Sequence, residues 1–178
     1  MASITSAPVF PSNLQARTFS RRNLIPMQQD VLWRIERGVA RTLTWSEAGI
    51  PATLGYWGSG DVVGQPLSRV QPYQIKCLTS VEVRLLPAHF WNQVLDAILL
   101  HVQQTEELLN IVHFEPMRHR LLQLLMWLAQ KFGREVEQGQ LIDLRLTHTD
   151  IAEVIGGTRV TVTRLLSQFR FYSHCRGC

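Results

Sequence analysis

Residues 146–169 read LTHTDIAEVIGGTRVTVTRLLSQF. Thr147 is a good helix N-cap, and Asp150, three residues on, places a carboxylate at the positive end of the helix that follows. This predicts a first helix from about His148 to Ile155. Gly156 and Gly157 end it, since glycine accepts the positive φ of a tight turn. Thr158 then caps a second helix from Arg159 to about Phe169. Helix, short turn and steeply crossing helix form one compact motif.

The residue choices follow from packing. Ala152 is small where the two helices would cross, and Ile151, Ile155, Val162, Leu165, Leu166 and Phe169 fall on the inner side. Arg159, Val160, Thr163 and Arg164 are left on one outer surface of the second helix. A helical hairpin with solvated arginines is one reading. The other is a nucleic-acid reader, because two guanidinium forks five residues apart can both enter a major groove. Each could bond guanine N7 and O6, discriminating by about 1–3 kcal/mol. Thr147, Thr158 and the helix-start amides could hold phosphates. The relative offsets of Ala152, Gly156 and Val162 fit the helix-turn-helix pattern and favour the second reading.

Upstream, Asp30–Pro87 reads as β structure. Val31–Glu36 is followed by the turn Arg37-Gly38, and Val39–Trp45 by the turn Ser46–Gly49. Thr53–Trp57, Gln74–Leu78 and Val81–Leu85 are further short strands, a spacing that suggests a small antiparallel roll or barrel. Val39, Arg41, Leu43 and Trp45 would share one face. From Trp91 to Val112 the apolar period changes to steps of three and four, which marks a long helix with one stripe. It could lie on its own roll. A near-3.5 period with His101 and Thr105 in the seam fits a two-stranded coiled coil slightly better. Pro116 suits a first helical turn, Leu121–Phe132 is a strongly apolar helix, Gly133 its stop, and Leu141–Leu146 a short strand.

Composition sets the outer limits. The chain has 178 residues with 46% hydrophobic and 18% charged, a globular balance. Its net charge is +4, and all but two of its 18 cations, Lys76 and Lys131, are arginine. The excess permits nucleic acid without requiring it, and codon bias would also produce it. Part of it is local: five arginines in Arg145–Cys178 face only Asp150 and Glu153. No apolar run reaches the roughly 18–20 residues of a membrane span, so no membrane partner is expected. Three cysteines, Cys77, Cys175 and Cys178, make no disulfide framework, so a cytoplasmic location is the default. Met1–Gln29 has no acid and carries Arg17, Arg21 and Arg22. That is loosely a transit-peptide composition, though a frayed arm with a first short strand is favoured.

The order of β-roll, long helix, short helix, strand and helix-turn-helix resembles the CRP/FNR family of bacterial transcription regulators, over roughly Leu24–Phe169. The run Thr158–Leu166, TRVTVTRLL, is similar to cyanobacterial members, the nitrogen regulators among them. The resemblance implies an α+β fold. Residues 1–22 would be a flexible arm, 23–88 an antiparallel, cyclic-nucleotide-binding-like β-roll, 89–114 a dimerisation helix and 115–178 a winged-helix-type DNA-binding domain. It implies a homodimer paired through Val94, Ile98, Val102, Thr105, Leu109 and Val112. Double-stranded DNA would be the target, read by Arg159 and Arg164, with RNA polymerase as a further partner. Cyclic-AMP-type members carry glutamate where this chain has Val160, so the implied operator is of the nitrogen-regulator kind.

Two positions depart from the family pattern. Cyclic-nucleotide-binding members place Gly-Glu after the glycine-rich turn and Arg-Ser before the next strand. Here Gly64-Gln65 and Gln71-Pro72 stand there, so Gln65 and Gln71 replace the ribose-binding acid and the phosphate-binding arginine. No cyclic nucleotide or other cofactor is therefore expected. Sensors of 2-oxoglutarate use an arginine near Gln71, so that ligand is not expected either. The second departure is the ending RFYSHCRGC, which lacks the alternating strands of a wing. A regulatory subunit that dimerises with full-length relatives and blocks them is the alternative function. Other chemistry finds little support. His174, Cys175 and Cys178 are only half a zinc or redox site, and three cysteines are too few for an iron–sulfur cluster. A haem role for His89, His101, His113, His119 or His148 competes with ordinary surface or seam positions. A cupin-like metal enzyme would need histidines on the strands, yet Asp30–Leu86 has none. No nucleophile elbow, P-loop or HExxH motif occurs, so no catalytic residue and no metal ligand is assigned.

Overall fold

The computed structural model describes residues 15–137 and 139–174, with side chains up to Phe169. In chain order the strands are β1 (Ala16–Phe19), β2 (Leu24–Ile25), β3 (Val31–Arg37), β4 (Ala40–Trp45), β5 (Pro51–Trp57), β6 (Val62–Val63), β7 (Gln74–Cys77) and β8 (Val81–Pro87). After a 3-10 segment at Ala88–Val94 come α1 (Leu95–His113), α2 (Met117–Phe132), β9 (Gly133–Val136), β10 (Gly139–Ile142), α3 (His148–Ile155) and α4 (Arg159–His174). The chain divides into two compact units, 1–41 with 57–103, and 42–56 with 104–178. The division cuts the roll and α1, so it differs from the boundaries expected at residues 88 and 114.

In the first unit four strands form an antiparallel sheet in the order β1-β8-β3-β6, and β2 pairs with β7. β3 is covered on both faces. Leu32 meets Val62, Leu86 and Val94, with Trp91, Ala97 and Ile98 packed against them. On the other face Trp33 is fully buried, with Phe19 edge-on at 6.3 Å and the Arg17 guanidinium 5.6 Å above its ring. Its indole N–H donates to the Pro26 carbonyl at 2.9 Å, which removes the cost of burying that donor. The expected turn at Arg37-Gly38 is real, and glycine is required there: at φ 86° a Cβ would lie 2.1 Å from the Ser80 carbonyl oxygen. The alternation expected in β4 does not expose one face, since Ala40, Arg41, Thr42 and Leu43 are all buried.

In the second unit β4 and β5 are neighbours, closed by a turn in which Ser46 N–H donates to the Ile50 carbonyl at 3.0 Å. Leu121, Leu124 and Leu128 form the wholly buried ridge of α2. Gly133 does stop α2, but in an extended conformation (φ −81°, ψ 151°) that leads directly into β9. The expected strand at Leu141–Leu146 is β10, shifted toward the N-terminus and paired antiparallel with β9. Once Thr147 caps α3, the residues just before it serve as the approach to the helix. α4 runs on to His174, past the expected stop near Phe169. Cys175–Cys178, and with them the zinc reading, lie outside the described residues, as does the arm up to residue 14.

Cys77 in β7 is buried, and burial pushes its thiol up to about 11. The unfolded thiol would ionise near 9, so the folded state keeps a proton the unfolded state loses. Stability is therefore expected to fall between about pH 9 and 11. Urea titrations across that range check this, and the Cys77→Ala protein should lack that part of the slope.

Candidate nucleic-acid interface

The helix-turn-helix is built from reciprocal polar bonds around a small core. Thr147 and Asp150 form a complete capping box. Asp150 N–H donates to Thr147 Oγ1 at 3.1 Å, while Thr147 N–H and its hydroxyl donate to Asp150 Oδ2 at 2.8 and 2.7 Å. Ile151, Ala152, Val154, Ile155, Val162 and Leu165 are buried, so most of the inner surface read from spacing is found, with Val154 added, while Leu166 and Phe169 are only half-buried. Gly156 sits in the left-handed region at φ 66°. Gly157 N–H donates back to the Ala152 carbonyl at 3.0 Å, a Schellman-type end that turns the chain toward α4. Thr158 Oγ1 accepts from Thr161 N–H at 3.1 Å and so caps α4.

One residue that holds this motif was not picked out by its spacing. Arg120 of α2 donates from Nη1 to the Ile155 carbonyl at 2.5 Å, from Nε to Phe114 O at 3.2 Å, and from Nη2 to Glu115 Oε1 at 3.3 Å. Its side chain is only 14% exposed. A cation at the C-terminal end of α3 meets both an orphan carbonyl and the negative end of the helix dipole. A second α2 arginine, Arg118, lies 5.4 Å from the centre of the Phe169 ring of α4. These contacts give part of the arginine excess a structural rather than a recognition role.

The outer face carries Arg159, Val160, Thr163 and Arg164, all exposed, with Val160 at 76%. Positions i, i+1, i+4 and i+5 fall on one side of a helix, so the four form a single surface near the start of α4. Thr147 is placed differently from its expected role. Both its donors are engaged by Asp150, so it has no proton to offer a phosphate. His148, the first residue of α3, contacts Thr163 through Nδ1 at 2.7 Å.

The outward stripe on α1 coincides only in part with the one read by spacing: Val102 and Leu109 belong to both. Val94 is buried in the roll's own core, so it is not available to a second helix, and the half-buried Ile98 packs against it. His101, expected in the seam, stacks flat on Trp57 at 3.8 Å and 6°, with Nδ1 3.0 Å from the Val62 carbonyl oxygen. Val112 is half-buried and Thr105 exposed. The most exposed apolar residues of α1 are Leu95, Leu99, Val102 and Leu109, each at least half exposed. Their spacing of four, three and seven is that of a helix–helix seam.

In the roll, Gln65 Nε2 donates to the Ser68 carbonyl at 3.2 Å, and Gln71 is exposed. Among the described residues no cluster of three or more His, Cys, Asp or Glu could hold a metal, and no helix is long and apolar enough to cross a membrane.

Comparison with known proteins is consistent with this geometry. Residues 119–171 match the Crp-like helix-turn-helix domain. The chain is 41% identical over 158 residues to the regulatory protein CysR of Synechococcus elongatus, covering 84% of this chain and 74% of the relative. It is 38% identical over 120 residues to the global nitrogen regulator of Synechocystis sp., covering 61% of this chain and 52% of that one. Among solved structures, a CRP-family transcriptional regulator from Thermus thermophilus superposes with a TM-score of 0.75 at 20% identity, over 88% of this chain and 85% of the other.

The Arg120 contacts yield a prediction. Arg120→Met keeps the apolar stem but leaves the Ile155 carbonyl without its donor. Stability of the second unit should drop by about 1–3 kcal/mol, the usual cost of an orphaned buried acceptor. Urea unfolding followed through Trp127 measures it.

Proposed function

The chain belongs to the CRP/FNR family of DNA-binding transcription regulators, and we propose that it acts as a homodimer laying α4 in the major groove of a two-fold symmetric site. The observation that carries this is the exposed pair Arg159 and Arg164 on the first turns of a helix whose start and direction are fixed by Thr158, Gly156 and Arg120. Each guanidinium can span O6 and N7 of a guanine, while Val160 between them offers only an apolar contact. Phosphates are held by the amides at the start of α4 and by Thr158, since Thr147 is occupied. The weak overall charge suffices because two copies present it twice.

The second copy docks along Leu95, Leu99, Val102 and Leu109 of α1, which keep Val102 and Leu109 of the expected seam and add Leu95 and Leu99. Two recognition helices then meet successive major grooves about 34 Å apart. The roll works without cyclic nucleotide: Gln65 and Gln71 supply neither the carboxylate for a ribose nor the cation for a phosphate. RNA polymerase is the partner through which a DNA-bound regulator acts, and the cytoplasm is where it would meet both. The fully capped helix-turn-helix supports DNA binding by the chain itself over a role as a silent, interfering subunit.

Arg164→Ala should bind a specific duplex about 5- to 150-fold more weakly at fixed salt, while its non-specific affinity changes far less. Gel shifts with specific and scrambled competitors decide this, and equal, equally selective binding by the variant would remove Arg164 from base recognition. Val102→Glu places a charge in the α1 seam. It should convert a dimer into monomers in sedimentation equilibrium, and an unchanged mass would sink the α1 assignment.

A further inference from the structure

We propose that Thr163 reads a thymine in the target site through its methyl group, because its hydroxyl is already committed within the protein. The inference rests on α4 lying in the major groove, as proposed above. Thr163 is exposed on the same surface as Arg159 and Arg164. Its Oγ1–H donates to the Arg159 carbonyl, one turn back, at 2.9 Å. A hydroxyl has one proton. The 2.7 Å contact between Oγ1 and His148 Nδ1 therefore has the ring N–H as donor and the hydroxyl as acceptor.

Two consequences follow. His148 donates from Nδ1 in this arrangement, and the Thr163 side chain is tethered to both helices of the motif. A threonine bonded back to its own helix and to a neighbouring one cannot turn its hydroxyl toward a base as a donor without breaking one of the bonds. What remains for the groove is the methyl, set between two guanidinium forks. The only apolar group on a major-groove edge is the thymine 5-methyl. The competing possibility is that the last lone pair of Oγ1 accepts a proton from adenine N6 or cytosine N4.

The test uses the full chain and a two-fold symmetric duplex that it selects from a randomised pool, with each thymine replaced in turn by deoxyuridine. Thr163→Val keeps the methyl and loses the hydroxyl, so it should bind within about twofold of the parent and keep its site preference. Thr163→Ser keeps the hydroxyl and loses the methyl. It should bind about fourfold more weakly, the worth of one buried methyl-sized group. It should also lose the deoxyuridine penalty at one thymine while keeping any others. Melting temperatures of both variants check that the motif remains folded. Thr163→Ser matching the parent while Thr163→Val fails would mean that the hydroxyl reads the base, and would overturn the proposal. Parent binding that is specific and arginine-dependent but indifferent to deoxyuridine would overturn it too, leaving the groove placement intact. Selection of no common sequence from the pool would overturn both.

Discussion

Arg120 holds two segments with one guanidinium: the short link between α1 and α2, at Phe114 and Glu115, and the last carbonyl of α3. α3 is only eight residues long, too short to be stable by itself. Its C-terminal carbonyls must find donors, and an arginine delivers both protons and a charge opposite to the helix dipole. The position of α2 thereby sets where α3 ends. The left-handed Gly156 then sets the direction in which the chain leaves, and α4 inherits it. The guanidinium Nη1 would lie 3.6 Å from a Cβ at Gly156, an ordinary contact, so backbone conformation rather than crowding is what reserves that position for glycine.

What could be read from sequence is what depends on near neighbours. The capping pair Thr147 and Asp150, the two turn glycines and the inner residues Ile151, Ala152, Ile155, Val162 and Leu165 act over three to five residues and fall where spacing puts them, whereas Leu166 and Phe169 are only half-buried. Five of the roll's eight strands, β3, β4, β5, β7 and β8, are legible as short runs between turns for the same reason, whereas β1, β2 and β6, of two to four residues, are too short to show a pattern. The stripe on α1 was harder. A period reports that a helix has an apolar side, but Val94, Ile98 and His101 answer to the roll, whereas Leu95, Leu99 and Val102 face outward. When two apolar faces adjoin, spacing cannot assign residues between them. Arg120 and Lys131 were out of reach because their partners lie tens of residues away.

Polar saturation is the second theme of the reading head. Thr147, Asp150 and Thr163 all look like free hydrogen-bonding groups in sequence, and each is engaged by a neighbour in the fold. A surface whose small polar groups are occupied presents mainly cations and methyls. If α4 reads bases as proposed, such a surface would discriminate through few contacts of high geometric demand, which a rigid base beneath it would serve.

Lys131, one of two lysines, reaches from α2 to the carbonyl of Tyr56 in β5 at 2.7 Å and also to Gln104 Oε1 of α1. Its ammonium lies 5.4 Å from the Trp127 ring centre, and Trp127 in turn sits 6.5 Å from Tyr56. Most of the β4–β5 hairpin is thus bound into the same compact unit as α2, α3 and α4, although in the linear chain it belongs to the roll. For exchange of sensor and reader between relatives, a single crossover within α1 would leave residues 42–56 facing a foreign α2. A workable hybrid must transfer that hairpin together with the helices, so the module that can be inherited as a piece is discontinuous in the gene.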